Sequence, residues 1–413
     1  TFISNFFAMI NFFFKPEATL TRQQLKLRRV IKAIYTHSGI SRSGLGLLLG
    51  LNKNSVTSSV SRLLDSGIVL EVPSLSEPLS AGRRKIGLAL RSDLFYTLGA
   101  FFSASASSIV LLDAQQRIVE HLSICGDSLL SAKSFLLLIK DKMAQVIDQV
   151  DAKKILGVGV ALPGIIDFTS GQVFSSDMFP QYEFNLKDFF QKHFALPSML
   201  NNISHIYALA EKRFGAAAGM DHFLTIDEGL GMGIFCNGEL YRGWQGSAGE
   251  LGYMKLYDTQ EIGPDGRGGL LYDKAIFSKI GEKISEVRKN GTNLAIQAPR
   301  AGDNYISPDE VVKAVEGGSM FIAQLLTEVF SSIGDAAVNV AYLLNPQAIF
   351  LPAWTARCPQ CTLDVVKMKM GSYGLANWRL KTEARSATAH SEHFPQTAAL
   401  MFAEEFFAEH GKC

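Results

Sequence analysis

Between Thr21 and Thr36, apolar side chains recur at Leu25, Leu27, Val30, Ile31 and Ile34, the spacing of one buried helix face. A turn at residues 37–40 follows, and Ser41 has the chemistry of an N-cap for a short helix, Arg42 to Leu49, closed by Gly50. Leu51-Asn52 predicts a tight turn, with Asn52 capping a third helix, Lys53 to Ser66. That helix buries Val56, Val60, Leu63 and Leu64 and turns Lys53, Asn54, Ser55, Thr57, Ser58 and Arg62 outward. Gly67 ends it. Ile68-Val69-Leu70 and Ile86 to Leu90 read as two strands, joined by the Pro/Ser-rich stretch 73–80 and the basic run Gly82-Arg83-Arg84-Lys85. A helix, a helix-turn-helix and a hairpin with a basic tip form a winged helix-turn-helix over residues 20–91.

From residue 92 the texture changes. Leu94 to Phe102, Ser107 to Leu112 and Arg117 to Ser123 predict a three-stranded meander, turning at 113–116. A helix from Leu130 to Val150 and an apolar strand from Ile155 to Ala161 follow. The second half repeats the theme weakly: a helix at Ser204 to Ala218, strands at His222 to Ile226 and Gly233 to Asn237, a long helix at Met320 to Leu344, a strand at Ala348 to Leu351 and a closing helix at Gln396 to Glu409. Strands alternating with helices predict α/β layers.

Charge sharpens this division. The chain of 413 residues has a net charge of +1, yet residues 20–91 carry +9 and residues 92–413 carry −8. A basic module on an acidic body suits binding to a polyanion. In a winged helix-turn-helix the second helix of the pair enters the major groove of DNA. The residues expected to meet double-stranded DNA are Ser41, Arg42, Lys53, Asn54, Ser55, Thr57, Ser58 and Arg62, with Arg83, Arg84 and Lys85 of the wing on phosphates or a minor groove. The alternative is a small helical bundle with a solvated basic face. At 47% hydrophobic and 19% charged residues the chain is not disordered, and five cysteines exclude a disulfide scaffold and suit a reducing cytoplasm. No apolar run is long enough for a membrane span. The aromatic stretch Phe2 to Phe14 has neither a basic n-region nor a cleavage site, so residues 1–19 read as an extension rather than a signal peptide.

Several motifs together resemble the ROK family of repressors, open reading frames and sugar kinases. Gly157-Val158-Gly159-Val160-Ala161-Leu162-Pro163-Gly164-Ile165-Ile166-Asp167 is similar to the family's G-x-G-x-P-G-x-x-D loop. Ala208-Leu209-Ala210-Glu211 with Phe214-Gly215-Ala216 resembles its A-E-x-x-F-G-A helix, and Gly238 to Gly243 with Ala248-Gly249-Glu250-Leu251-Gly252 its N-G-x-L-y-r-G…A-G-E-x-G. Leu344-Asn345-Pro346 with Ile349 matches its L-N-P strand, and the helix-turn-helix resembles the repressor branch. The resemblance implies an α/β, two-lobed, actin-like (ribonuclease-H-like) body, with a first lobe at 92–197 plus 390–413 and a second, degenerate sugar-kinase-like lobe at 198–389. It also implies a sugar as ligand class.

Against the kinase pattern several positions depart. In the first phosphate loop, Phe102 stands at the Asp position and Ala104 at a Gly. The second reads Asp227-Glu228-Gly229-Leu230-Gly231-Met232-Gly233; its last three glycines are expected to keep the backbone turn, while two carboxylates stand where nucleotide phosphates would lie. The adenine-side Gly-Gly is Pro352-Ala353. Ile203 replaces the catalytic Asp and cannot accept a proton; His205, two residues on, reads as a surface or packing histidine. The family's zinc ligands are replaced at Tyr253, Gly263, Asp265 and Leu270, and Cys358-Pro359-Gln360-Cys361, the only C-x-x-C, reads as ordinary loop cysteines.

The sequence therefore predicts a cytoplasmic DNA-binding transcriptional regulator, a repressor of sugar-metabolism genes, that acts as a homodimer or higher homo-oligomer on a two-fold operator. It assigns no catalytic residue, metal or cofactor and no membrane contact. A sugar or sugar-derivative effector is expected at Gly164, Asn202, Glu250 and Tyr253, with Tyr272 where the family has a Glu. The alternatives are an active sugar kinase carrying an added DNA-binding domain, and a DNA-binding scaffold that senses nothing. The cleft discriminates: a sensor keeps convergent polar groups there, and a scaffold fills it with apolar side chains.

Overall fold

Helix α1 (Arg22–Thr36) starts at a capping box, in which the Thr21 hydroxyl accepts from the Gln24 amide and the Gln24 side chain accepts from the Thr21 amide at 2.9 Å. The computed structural model describes residues 20–73, 86–103, 107–124, 132–176, 184–244, 246–258, 268–275, 277–291, 294, 296, 306–373 and 381–407. Strand β1 (Ile40–Ser41) leads into α2 (Arg42–Leu49), capped by Ser41 through the Gly44 amide at 3.1 Å and closed by Gly50 at φ +63°. Asn52 caps α3 (Lys53–Asp65) by accepting from the Ser55 amide at 2.9 Å. β2 (Val69–Pro73) and β3 (Ile86–Leu90) pair antiparallel, and β1 adds to the far side of β3, in the order β1-β3-β2. The N-terminal extension 1–19 and the wing tip lie outside the described residues.

This domain is not a bead on a string. Its core, which includes Val30, Ile34, Val60 and Leu90, is continuous with Phe95, Leu156, Phe402, Phe406 and Phe407 of the body. The rings of Tyr35, Phe95 and Phe407 meet at 4.9 to 5.9 Å, and the Gln116 side-chain amide donates to the Tyr35 carbonyl at 2.6 Å.

The first lobe is built on β4 (Tyr96–Phe102), β5 (Ser107–Asp113), β6 (Ile118–Ile124), helix α4 (Ala132–Ile147) and β7 (Ile155–Leu162). A small sheet of β8 (Ile165–Ile166), β9 (Gln172–Ser175) and β10 (Phe184–Asn185), helix α5 (Leu186–Phe194) and β11 (Ser198–Asn202) complete it. Helix α6 (Ile203–Phe214) crosses to the second lobe. There β12 (Phe223–Ile226), β13 (Met232–Cys236) and β14 (Glu239–Leu240) precede helices α7 (Tyr272–Ala275), α8 (Phe277–Lys289), α9 (Pro308–Glu316) and α10 (Met320–Leu344). β15 (Ala348–Leu351), α11 (Leu363–Ser372) and β16 (Glu383–Ser386) follow, and α12 (His393–Phe407) returns to the first lobe.

The two five-stranded sheets run β11-β7-β4-β5-β6 and β14-β13-β12-β15-β16. Numbered within each lobe, both have the order 3-2-1-4-5, with the first three strands antiparallel and the last two parallel. The body is thus a duplicated ribonuclease-H-like unit, the two-lobed actin-like arrangement. One boundary needs correction: β11 pairs parallel with β7, so the first sheet extends to Asn202 rather than stopping at residue 197. Helix α12 lies directly on the first sheet's backbone; a Cβ on Gly99 or Gly159 would sit 1.9 Å from the Pro395 or Ala398 carbonyl oxygen. The G-x-G of β7 is therefore a helix-docking feature. α10 is apolar and long enough to span a membrane, but twelve of its residues are buried in the second lobe's core.

Candidate nucleic-acid interface and interlobe cleft

The solvent face of α3 presents Lys53, Asn54, Thr57, Ser58 and Arg62, all exposed. Ser55 is half-buried, its hydroxyl 3.4 Å from the Lys26 ammonium of α1. A concavity of about 260 Å³ between α1 and α3 is lined by Gln23, Lys26, Asn54, Ser55, Ser58 and Arg62. Gln23 and Lys26 went unrecognised in the sequence, where α1 reads only as a packing helix. The helix that carries the polar face is anchored by Val56, Val60 and Leu63. Ser41 is a correction: it is buried and its hydroxyl caps α2, so it does not face a duplex. Arg42 donates to Glu71 at 2.9 Å. Arg83, Arg84 and Lys85 lie outside the described residues.

In the loop from β12 to β13 the Asp227 carboxylate turns back on its own backbone. One oxygen accepts from the Gly229 amide at 2.8 Å and the Gly231 amide at 3.0 Å; the other accepts from the Ser204 hydroxyl of α6. The amides that a phosphate loop would offer to an anion therefore already hold one. Burial lifts the Asp227 pKa to about 7, opposed by the Ser204 bond and reinforced by the charge of Glu228. Glu228 accepts from the Tyr207 hydroxyl at 2.8 Å, and burial raises it above the ordinary carboxylate range. The left-handed turn residue here is Leu230 at φ +63°, not a glycine. Gly231 serves close approach instead: a Cβ there would lie 2.0 Å from the Ser204 hydroxyl.

Ile203, at the position of the family's catalytic Asp, is buried in an apolar cluster with Phe101, Phe394, Ala398 and Met401. Phe102 faces the opposite side of β4, edge-on to Phe135 at 5.1 Å. His205 is buried, 6.0 Å from the Phe168 ring, and its Nδ1 has no hydrogen-bond partner among the described residues. Burial and the neighbouring Arg242 charge lower its pKa to about 4, so it packs as a neutral ring.

Of the expected effector residues, the structure joins two pairs. The Asn202 side-chain amide donates to the Gly164 carbonyl at 3.1 Å while its oxygen caps α6 at the Ser204 amide, 3.0 Å away. Tyr253 and Tyr272 stack with centroids 6.1 Å apart and planes 12° from parallel. Glu250 is exposed and begins the turn Leu251–Tyr253 without capping it through its side chain.

Glu211 has a role the motif did not disclose. Its buried carboxylate accepts from the amides of Ala216 at 2.7 Å and of Thr388 and Ala389 at 2.9 Å, and from the Thr388 hydroxyl at 3.0 Å. It pins the end of α6 to the segment between β16 and α12, where the chain crosses between the lobes twice. Close by, a cavity of about 210 Å³ opens between the lobes beside Pro352 and Ala353. Cys358 and Cys361 are buried, the Cys361 thiol donating to the Cys358 carbonyl at 3.4 Å. Among the described residues no cluster of three His, Cys, Asp or Glu could hold a metal; Gly263 and Asp265 lie outside them.

The pattern described as "ROK family" matches residues 110–373. The chain is similar over 349 residues to the xylose repressor of Caldicellulosiruptor bescii, at 27% identity, covering 81% of this chain and 84% of that protein. It superposes on a ROK family transcriptional regulator, a homolog of the E. coli MLC protein, with TM-score 0.73 at 20% identity over 94% of this chain and 97% of that one. A ROK family glucokinase from Streptomyces griseus, solved with glucose and AMPPNP, gives TM-score 0.61 at 19% identity, covering 74% of this chain and 98% of the kinase. Nearly the whole kinase is thus matched by three quarters of this chain.

Proposed function

The chain belongs to the ROK family, and on that footing we propose that it is a cytoplasmic DNA-binding repressor of sugar-metabolism genes whose kinase-like body senses a sugar and transfers no phosphate. The observation that carries this reading is the exposed polar face of α3, set on a domain whose core merges with the body through α12. A duplex would take Asn54, Thr57 and Ser58 on base edges and Lys26, Lys53 and Arg62 on phosphates. A homodimer would set two such helices on a two-fold site.

Two features of the cleft argue against phosphoryl transfer. Ile203 cannot take a hydroxyl proton, and the Asp227 carboxylate occupies the loop amides. Sensing is supported by the polar groups that remain: Asn202 against Gly164, Glu250, and the Tyr253–Tyr272 stack. Hydroxyls of a sugar would bond the amide and carboxylate, and the tyrosines would cover its face. D-xylose is the first sugar to test, since a relative is named a xylose repressor.

Coupling would run along α12. Its first three turns contribute Phe394, Ala398 and Met401 to the cluster at the cleft, and its C-terminal half contributes Phe402, Phe406 and Phe407 to the core of the DNA-binding domain. A change of lobe angle around the Glu211 pin would tilt this helix and the domain it carries. Selection of a random duplex pool with the full chain tests the reading: an enriched, two-fold sequence is expected. Binding without any sequence enrichment would refute it.

A further inference from the structure

The loop that follows β14 and leads to Glu250 touches both the first lobe and α12. Its ends are fixed to the second sheet: the Tyr241 amide donates to the Ile234 carbonyl at 2.8 Å, and the Met232 amide donates to the Gly249 carbonyl at 2.7 Å. The Ala248 amide closes a neck on the Arg242 carbonyl at 3.0 Å. Beyond that neck, Gly246 lies on the ring of Phe168, which belongs to the first lobe. A Cβ on Gly246 would sit 2.4 Å from Phe168 Cδ2, and its φ of +80° also favours glycine. Trp244 of the same loop is 97% exposed and adds no packing.

At the neck, the Arg242 side chain meets α12. One guanidinium nitrogen lies 3.9 Å from Met401 Sδ, and the Glu405 carboxylate, one turn further along the helix, is close enough to act on the Arg242 charge. Glu404 is paired instead with Arg213 of α6. The neighbouring stripe of α12, Phe402 and Phe406, is part of the core of the DNA-binding domain. One loop therefore carries an expected sugar residue, spans the two lobes and reaches the helix on which the DNA-binding domain sits.

We propose that Arg242 is the coupling residue of this loop: it passes a displacement of the loop against the first lobe to α12, and through α12 to the DNA-binding domain. The ligand that would drive the displacement rests on the sensing reading; the mechanical link does not. The contact of Gly246 with Phe168 is one of van der Waals packing and shifts as the lobes turn. The Arg242 charge then moves relative to Glu405, and α12 tilts with it.

Hydrogen exchange of the full chain, without sugar or duplex, tests the link. Gly246→Ala drives a methyl against Phe168, and Phe168→Ala removes the ring without straining the loop. Each should change exchange about threefold or more at residues 30–35 of α1, where Tyr35 meets Phe407 of α12. In an Arg242→Met background, whose side chain still packs on Met401 without a charge, neither substitution should change it. Arg242→Lys, which keeps the charge, should preserve the effect. Unchanged exchange in both Gly246→Ala and Phe168→Ala would overturn the proposal, as would an effect undiminished in Arg242→Met. On the selected duplex, Arg242→Met should also lose the response to D-xylose while calorimetry shows wild-type sugar affinity within about twofold; a full response in this variant would overturn the proposal. A wild type indifferent to D-xylose would refute sensing of that sugar alone, because the exchange experiment uses no ligand.

Discussion

Replacing Asp227 with asparagine should alter how stability depends on pH. The folded carboxyl has its pKa raised from 3.8 to about 7, so the folded state favours the proton. A raised pKa contributes stability that is fully present below pH 3.8 and is lost as pH rises through about 7. Each unit corresponds to about 1.4 kcal/mol, so the contribution falls by about 4 kcal/mol across that window. The asparagine oxygen still accepts from Gly229 and Gly231, and its N–H₂ can donate to the Ser204 hydroxyl, so the loop geometry survives. His205 has the opposite sign: its pKa falls from 6.5 to about 4, so its contribution is present above pH 6.5 and lost as pH falls through 4. In wild type the Asp227 and His205 slopes oppose each other between pH 4 and 6.5; Asp227→Asn removes the first and leaves those of His205 and of Glu228, whose raised pKa gives it the sign of Asp227. Urea unfolding followed by tryptophan fluorescence at pH 4.5, 5.5, 6.5 and 7.5 would measure both proteins. The stability of wild type minus that of the variant should fall by about 1.4 kcal/mol per unit up to about pH 7. A difference that stays constant with pH would mean an ionised Asp227 throughout and would refute the burial argument.

Asn54→Ala should cost about 1–3 kcal/mol on the preferred duplex and relax preference at one base pair, whereas Arg62→Ala should weaken all duplexes alike and reduce the salt slope by about one; fluorescence anisotropy over a salt series separates them. Glu211→Ala strands the amides of Ala216, Thr388 and Ala389 and should destabilise by about 3–5 kcal/mol, with faster hydrogen exchange at Thr388 and Ala389 than in Glu211→Gln. Equal exchange in the two variants would remove Glu211 as the pin. Glu250→Ala should lower affinity for the effector sugar about tenfold to a hundredfold by calorimetry, and unchanged affinity would move the sugar elsewhere.

What was legible depended on distance along the chain. The caps at Ser41, Gly50 and Asn52 are local chemistry, and two helices of the DNA-binding domain, α2 and α3, follow from them. β1 is two residues long and exists only because it pairs with β3, more than forty residues away, so periodicity could not show it. Likewise, Ser198–Asn202 has no strong apolar run; its parallel pairing with β7 makes it the fifth strand of the first sheet. α9 does have a local signal, Ser307 with Pro308 and Glu310 in a capping box. At the phosphate loop, the acidic residues were visible but their geometry was not. Repulsion of phosphate was expected, while the structure shows a carboxylate already seated in the loop. Glu211 was visible only as a motif letter, because two of its partners, the Thr388 and Ala389 amides, lie 177 and 178 residues away.

The most direct test of a sugar-sensing repressor without kinase activity is an anisotropy titration of the full chain on its selected duplex, run with and without D-xylose, and with and without ATP, while ADP is assayed in the same samples. The account predicts that sugar weakens duplex binding by about fivefold or more, equally with and without ATP, and that no ADP forms. Duplex affinity indifferent to sugar, or ADP formation that depends on sugar, would contradict it.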